Sequence, residues 1–166
     1  MDFDGVLTDG GIYINNEGNH IRRFDVKDGL GIKLLQRYSI NIAIVSGSNS
    51  EVIEKRGKAL DIKIIKKAVK NKYEEVKLIQ QETGSIPNQT LFLGDDVNDL
   101  PVIPLVKFFI VPFDAHIACK KKADFIANSC GGKGFIREIT DQILTAKGIN
   151  PFKSFKGIND NEILRF

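Results

Sequence analysis

The chain opens Met1-Asp2-Phe3-Asp4-Gly5-Val6-Leu7-Thr8-Asp9-Gly10, and the reading of these ten residues decides the rest. Two carboxylates stand two residues apart, with glycine directly behind them. If Asp2 to Asp4 ends a strand, the period of two sends both carboxylates to one face and into one mouth. Asp and Gly are also ordinary turn residues, so the pattern alone fits a turn as well. At ~4 Å and an effective dielectric near 20 two such charges repel by roughly 4 kcal/mol, which calls for a bound cation, a shared proton or a nearby lysine.

A second acidic cluster, Gly94-Asp95-Asp96-Val97-Asn98-Asp99, follows the apolar run Leu91-Phe92-Leu93. Ser46-Gly47 follows Ile42-Ala43-Ile44-Val45 in the same way, and Lys72 lies between the two. Apolar runs of this length followed by polar and glycine residues read as buried strands ending in loops. Helical spacing fills the intervals, so the expected fold is α/β, a doubly wound parallel sheet covered on both faces. Ligands of such sheets collect at the strand C-termini, where all four candidate elements fall.

The remaining elements are read from period and punctuation. Residues 11–26 carry the turn signal Asn15-Asn16-Glu17-Gly18 and predict a β-hairpin. Asp28 fits the N-cap of a helix carrying Leu30, Leu34, Leu35 and Tyr38, which leads to a strand over 40–45. Ser48-Asn49-Ser50-Glu51 has the form of a capping box opening a helix to about Leu60. A short strand over 61–65, a helix over 71–82 and a two-turn helix after Asp99, disturbed by Pro104, follow. Phe108, Phe109, Ile110 and Val111 predict a strand buried on both faces, Phe125 and Ile126 a last short strand, and residues 135–146 a helix. Phe152, Phe155, Ile158, Ile163 and Leu164 make the tail from Asn150 too apolar to be left free, so it is expected to pack.

The 166 residues, 42% hydrophobic and 27% charged, fit one domain spanning 1–166. A net charge of +3 with no basic stripe interleaved with aromatics argues against nucleic acid, and Lys120-Lys121-Lys122 reads as a solvated helix face. Cys119 and Cys130 form no CxxC pair, and His20 and His116 lack metal-ligand spacing. With no apolar run of ~18 residues and no basic-then-apolar start, a soluble, cytoplasmic protein without a membrane partner is expected.

The ordered set DFDGVLTDG, FDVKDGLGI at 24–32, Ser46-Gly47, Lys72, GDDVNDLP at 94–101 and GGKGFIREI at 131–139 resembles the haloacid dehalogenase superfamily. More narrowly, it resembles the small capless phosphatases of 3-deoxy-D-manno-octulosonate 8-phosphate and of nonulosonate 9-phosphates. The resemblance implies a Mg²⁺-dependent phosphatase of a phosphorylated sugar acid. Asp2 would be the nucleophile that forms an aspartyl phosphate, and Asp4 the acid and base. Asp2, the Asp4 carbonyl and Asp95 would hold Mg²⁺, with Asp96, Asn98 and Asp99 around them. Acidic side chains also suit a helix N-terminus, which explains those last three equally. Gly5, Ser46, Gly47 and Lys72 would bind phosphate. Thr8 and Asp28 resemble positions near the mouth, though a turn and an N-cap account for them too. Arg56 and Arg137 are candidates for a substrate carboxylate, or are solvent-facing helix residues. The resemblance further implies a homotetramer in which hairpins pack and a neighbour's tail covers the mouth.

Two departures qualify it. Only Met1 precedes Asp2, so either the first strand is stunted or the sequence is part of a longer chain. Ser48 stands where many octulosonate phosphatases carry arginine, and serine makes no bidentate carboxylate contact. The alternatives are a phosphatase of an unrelated small phosphate ester and, from another class, a non-catalytic oligomerisation module resembling the C-terminal domain of acylneuraminate cytidylyltransferases. That domain has lost its acidic residues, whereas Asp2, Asp4, Ser46, Lys72 and Asp95 are all present here.

Overall fold

In the computed structural model, which describes residues 1–151, two residues close the sheet. The Met1 amine donates to the Ala43 carbonyl and the Met1 carbonyl accepts from the Val45 amide, both at 2.9 Å. On its other side the Asp2 amide donates to the Leu93 carbonyl at 2.9 Å. Ahead of this seam along the chain lies the expected hairpin, β1 (Tyr13–Ile14) paired antiparallel with β2 (His20–Ile21). The core strands are β3 (Ala43–Val45), β4 (Ile64–Lys66), β5 (Leu91–Leu93), β6 (Phe108–Val111) and β7 (Phe125–Ile126). They pair in parallel as β3 with β4 and as β5-β6-β7. Met1 and Asp2 join these two pieces, giving the order β4, β3, Met1 and Asp2, β5, β6, β7. A doubly wound parallel sheet is therefore present, with Met1 and Asp2 hydrogen-bonded between β3 and β5.

Side-chain alternation sorts the core into two layers. Ile44, Leu93 and Ile110 face one layer with Phe3, Ile32, Phe135 and Ile139. Their neighbours Val45, Phe92 and Phe109 face the other, with Val76, Ile79 and Val102. The first layer is closed by α1 (Val26–Arg37), α2 (Glu51–Ala59) and α5 (Phe135–Ala146). The second is closed by α3 (Lys72–Thr83), the 3₁₀ segment Val97–Leu105 and α4 (Ile117–Lys120). All these elements belong to the core or the hairpin.

Several local expectations are corrected. The N-cap of α1 is Asp25, whose side chain accepts from the Lys27 amide; Asp28 lies inside the helix, fully buried. The cap of α2 is Ser50, because Ser48 spends its hydroxyl on the Ser50 amide. The segment after Asp96 is 3₁₀ rather than α, with Pro101 and Pro104 inside it and each removing an amide donor. Phe108 is 46% exposed, so β6 is buried only from Phe109 onward. The strand expected over 61–65 begins at Ile64, after Asp61 takes positive φ. The apolar residues of the tail beyond Pro151 lie outside the described residues.

Beneath Met1, at the N-terminal ends of β3 and β5, is a cavity of about 420 Å³ lined mainly by apolar groups such as Leu35, Val76, Ile79 and Ile139. None of Asp2, Asp4, Lys72, Asp95 and Asp99 lines it.

Candidate active site

Asp2, hydrogen-bonded to β5, is 6% exposed. From Phe3 the backbone turns: the amides of Leu7 and Thr8 both donate to the Phe3 carbonyl. The turn breaks the period of two, so Asp2 and Asp4 do not share a partner set. Asp2 Oδ1 accepts from the Phe3 amide at 2.7 Å and Oδ2 pairs with Lys72 Nζ at 2.8 Å. Asp4 Oδ1 accepts from Thr8 Oγ1 at 3.2 Å and from Arg22 Nε at 2.9 Å. The repulsion expected of the pair is thus met by a separate cation on each carboxylate.

Lys72, the first residue of α3 behind the Asn71 cap, is 4% exposed and also reaches Asp99 Oδ1 at 2.6 Å. Burial alone would lower its pKa, but the Asp2 and Asp99 carboxylates overcome this and hold it above the ordinary value. Asp99 is fully buried and its Oδ2 accepts from the Asp95 amide at 3.0 Å. Asp96 caps the 3₁₀ segment in a reciprocal box with Asp99, and Asn98 is exposed on it. The helix-terminus explanation therefore suits Asp96, while Asp99 is the direct partner of the lysine.

Asp95 comes against the first loop. Gly5 has φ +80°, and a Cβ there would overlap Asp95 Oδ2, so glycine is required by both backbone and space. One carboxylate oxygen from each of Asp2, Asp95 and Asp99 lies within 4.8 Å of the others. Burial, then the charges of its neighbours, pushes Asp95 up to about 7; burial, then Asp99, pushes Asp2 up to about 6 against the pull of Lys72. Three hard oxygen donors crowded enough to resist ionisation are the donor set that a small divalent cation satisfies.

The other predicted residues are distributed as follows. Ser46 is 2% exposed at the end of β3, its hydroxyl accepting from the Ser48 amide, and Gly47 is exposed beside it. Thr8 is fully buried, accepting from the Gly5 and Gly10 amides as well as donating to Asp4, so it braces the loop. The Asp28 carboxylate accepts from the Gly134 and Arg137 amides at 3.1 and 2.9 Å, capping α5 from α1. Arg137 pairs with Asp141 through Nε. The Arg56 guanidinium lies 4.9 Å from the centre of the Phe24 ring, and its buried Nε has no hydrogen-bond partner. Gly131 packs so closely on Gly5 that a Cβ would overlap the Gly5 carbonyl, and the Gly132 amide donates to Val6 at 3.1 Å. That is how the 131–139 segment bears on the site.

Sequence reasoning missed Arg22. It follows β2, where the antiparallel bridge of Thr8 with Phe24 holds the returning strand on the loop after Asp2. In sequence it is one of two adjacent arginines at a hairpin's edge, where a solvated position is the ordinary outcome.

Fold and site together define a member of the haloacid dehalogenase superfamily. A solved Legionella pneumophila structure described as a putative hydrolase of that superfamily matches with a TM-score of 0.86 and 33% identity, over 89% of this chain and 81% of that one. No family model matches the chain. Curated relatives resolve it further: the 3-deoxy-D-manno-octulosonate 8-phosphate phosphatase KdsC of Salmonella typhi is 33% identical over 148 residues, 89% of this chain and 79% of the relative. The Haemophilus influenzae protein of the same name is 37% identical over 147 residues, 89% of this chain and 82% of the relative. The chain belongs to the 3-deoxy-D-manno-octulosonate 8-phosphate phosphatase family, which is a family of phosphoric monoester hydrolases. A solved Moraxella catarrhalis member, in complex with magnesium, phosphate and KDO, matches with a TM-score of 0.87 and 32% identity, over 94% of this chain and 88% of that one.

Proposed function

We propose that this chain is a Mg²⁺-dependent phosphatase that hydrolyses 3-deoxy-D-manno-octulosonate 8-phosphate. The single observation that carries the reading is the convergence of Asp2, Asp95 and Asp99 on one another and on Lys72, in a chain of this family. Asp2, Asp95 and the Asp4 carbonyl would hold Mg²⁺. Bound there, the cation neutralises the acidic cluster and draws charge from the phosphoryl oxygens.

Asp2 attacks phosphorus, and the bond to the sugar oxygen breaks as the aspartyl phosphate forms. Asp4 gives its proton to the leaving alkoxide, then takes one from the water that attacks the acyl phosphate, releasing inorganic phosphate and restoring Asp2. Lys72 holds Asp2 in place and sets positive charge beside the transferring group. Ser46 and the Gly47 amide, at the end of β3, would meet phosphate oxygens.

A nonulosonate 9-phosphate is the second substrate reading, favoured by Ser48, which removes the arginine expected for an octulosonate carboxylate. The hairpin supports assembly into a tetramer in which neighbours close the site: Ile12, Tyr13, Ile14 and Ile21 are all more than half exposed. Phosphate release from the octulosonate ester, a nonulosonate ester and a neutral sugar phosphate, each with Mg²⁺ and with EDTA, tests the reading. Mg²⁺-dependent preference for the octulosonate ester is expected. Equal turnover of all three would defeat the sugar-acid reading, and activity in EDTA would defeat the cation.

A further inference from the structure

Arg22 has a side chain only 2% exposed and its Nη1 is buried without a hydrogen-bond partner. A buried guanidinium with an unmet donor is costly, and packing alone does not retain one. Among the described residues its hydrogen-bond partner is Asp4, through Nε at 2.9 Å, and Thr8 Oγ1 donates to the same oxygen at 3.2 Å. Both donors converge on Oδ1, while no hydrogen bond to Oδ2 is found among the described residues. The carboxylate, 29% exposed, is therefore pinned by one oxygen and presents the other.

We propose that Arg22 is a positioning residue for proton transfer: with Thr8 it fixes Asp4 Oδ1, so that Oδ2 is the atom that gives the leaving oxygen its proton and later takes one from water. The inference rests on the phosphatase reading above. Thr8 is two residues from Gly10 and braces the loop from within, whereas Arg22 arrives from the hairpin. The proton transfer is thus coupled to the seating of the hairpin on the loop.

The readout is the leaving group, because a sugar alkoxide must be protonated as it departs and p-nitrophenolate need not be. The quantity is kcat/KM, which covers phosphoryl transfer and departure and not the later hydrolysis of the acyl phosphate. For Arg22→Met, kcat/KM for 3-deoxy-D-manno-octulosonate 8-phosphate is expected to fall at least tenfold further than for p-nitrophenyl phosphate, since general acid catalysis contributes ~10²–10⁴-fold. Arg22→Lys, which restores a charged donor to Asp4, is expected to recover part of that difference. Equal losses on both substrates, or no loss, would overturn the assignment, because a general weakening of the fold moves both alike. Should Arg22→Met fail to fold, Arg22→Gln carries the test: its uncharged amide still offers Asp4 a donor, so a smaller differential of the same sign is expected, and equal losses on both substrates remain the contrary outcome. Wild-type protein inactive on both esters in Mg²⁺ would instead defeat the phosphatase reading itself.

Discussion

Lys72→Met removes the only cation that the described structure places against Asp2 and Asp99, at 2.8 and 2.6 Å. Each contact is worth roughly 6 kcal/mol of Coulomb attraction at an effective dielectric near 20, much of which is cancelled by desolvation and by the repulsion of the two carboxylates. Removing one partner of a buried ion pair costs about 3–5 kcal/mol. For a chain of this size 1 kcal/mol moves Tm by roughly 2–4 °C, so a fall of roughly 6–20 °C is expected. The loss should be largest above pH 7, where Asp2, pushed up to about 6, is ionised. Mg²⁺ should restore part of it by supplying the missing charge. The assay is differential scanning fluorimetry at pH 7.5 in EDTA and in Mg²⁺, with Lys70→Ala, at an exposed position, as the control. A Tm for Lys72→Met unchanged in EDTA would refute the reasoning, because the lysine would then not be holding the acidic cluster together.

Gly5→Ala should lose Mg²⁺-induced stabilisation altogether, since the new methyl overlaps Asp95 Oδ2 at a backbone with φ +80°; titration calorimetry with wild-type Mg²⁺ affinity would contradict this. Asp28→Asn should lower Tm by several degrees, because an amide offers one acceptor oxygen where the carboxylate serves the Gly134 and Arg137 amides with two; an unchanged Tm would show that the α1–α5 joint does not need it. The raised Asp2 and Asp95 values set a pH dependence: between pH 4 and 7 the folded, metal-free protein binds protons that the unfolded chain has released. Stability in EDTA is therefore lost as pH rises through about 6 and 7, and the stabilisation by Mg²⁺, which displaces those protons, grows from pH 5 to pH 8. A Mg²⁺ shift of equal size at both ends of that range would contradict it.

The parallel sheet and its two layers were legible because β3, β5 and β6 are short apolar runs whose alternate residues face opposite cores. Asp95 stood out as a candidate because it lies just past the apolar run of β5, and Asp2 because a second carboxylate and a glycine follow it, whereas Lys72, one of several neighbouring lysines, was singled out only by the spacing of the resembled family. What escaped is what depends on tertiary partners. Asp28 satisfies the local rule for a cap, yet the amides it serves belong to a helix about 106 residues away in sequence. Ser48 and Ser50 are equivalent as local signals, and only the turn at Ser46 decides between them. Arg22 carried no periodic signal, since its burial arises from the bridge between Phe24 and Thr8. Asp4 was expected beside Asp2, and the turn that begins at Phe3 sends it to a different cation.

The central claim is that Asp2 carries the chemistry of a Mg²⁺-dependent sugar-acid phosphatase. The measurement is phosphate release from 3-deoxy-D-manno-octulosonate 8-phosphate in Mg²⁺ by the wild-type protein and by Asp2→Asn, a nearly isosteric change, with circular dichroism on both. Turnover by the wild type and its loss by at least a thousandfold in a folded Asp2→Asn protein is the predicted result. Comparable turnover by the two proteins with the same spectrum would contradict the account.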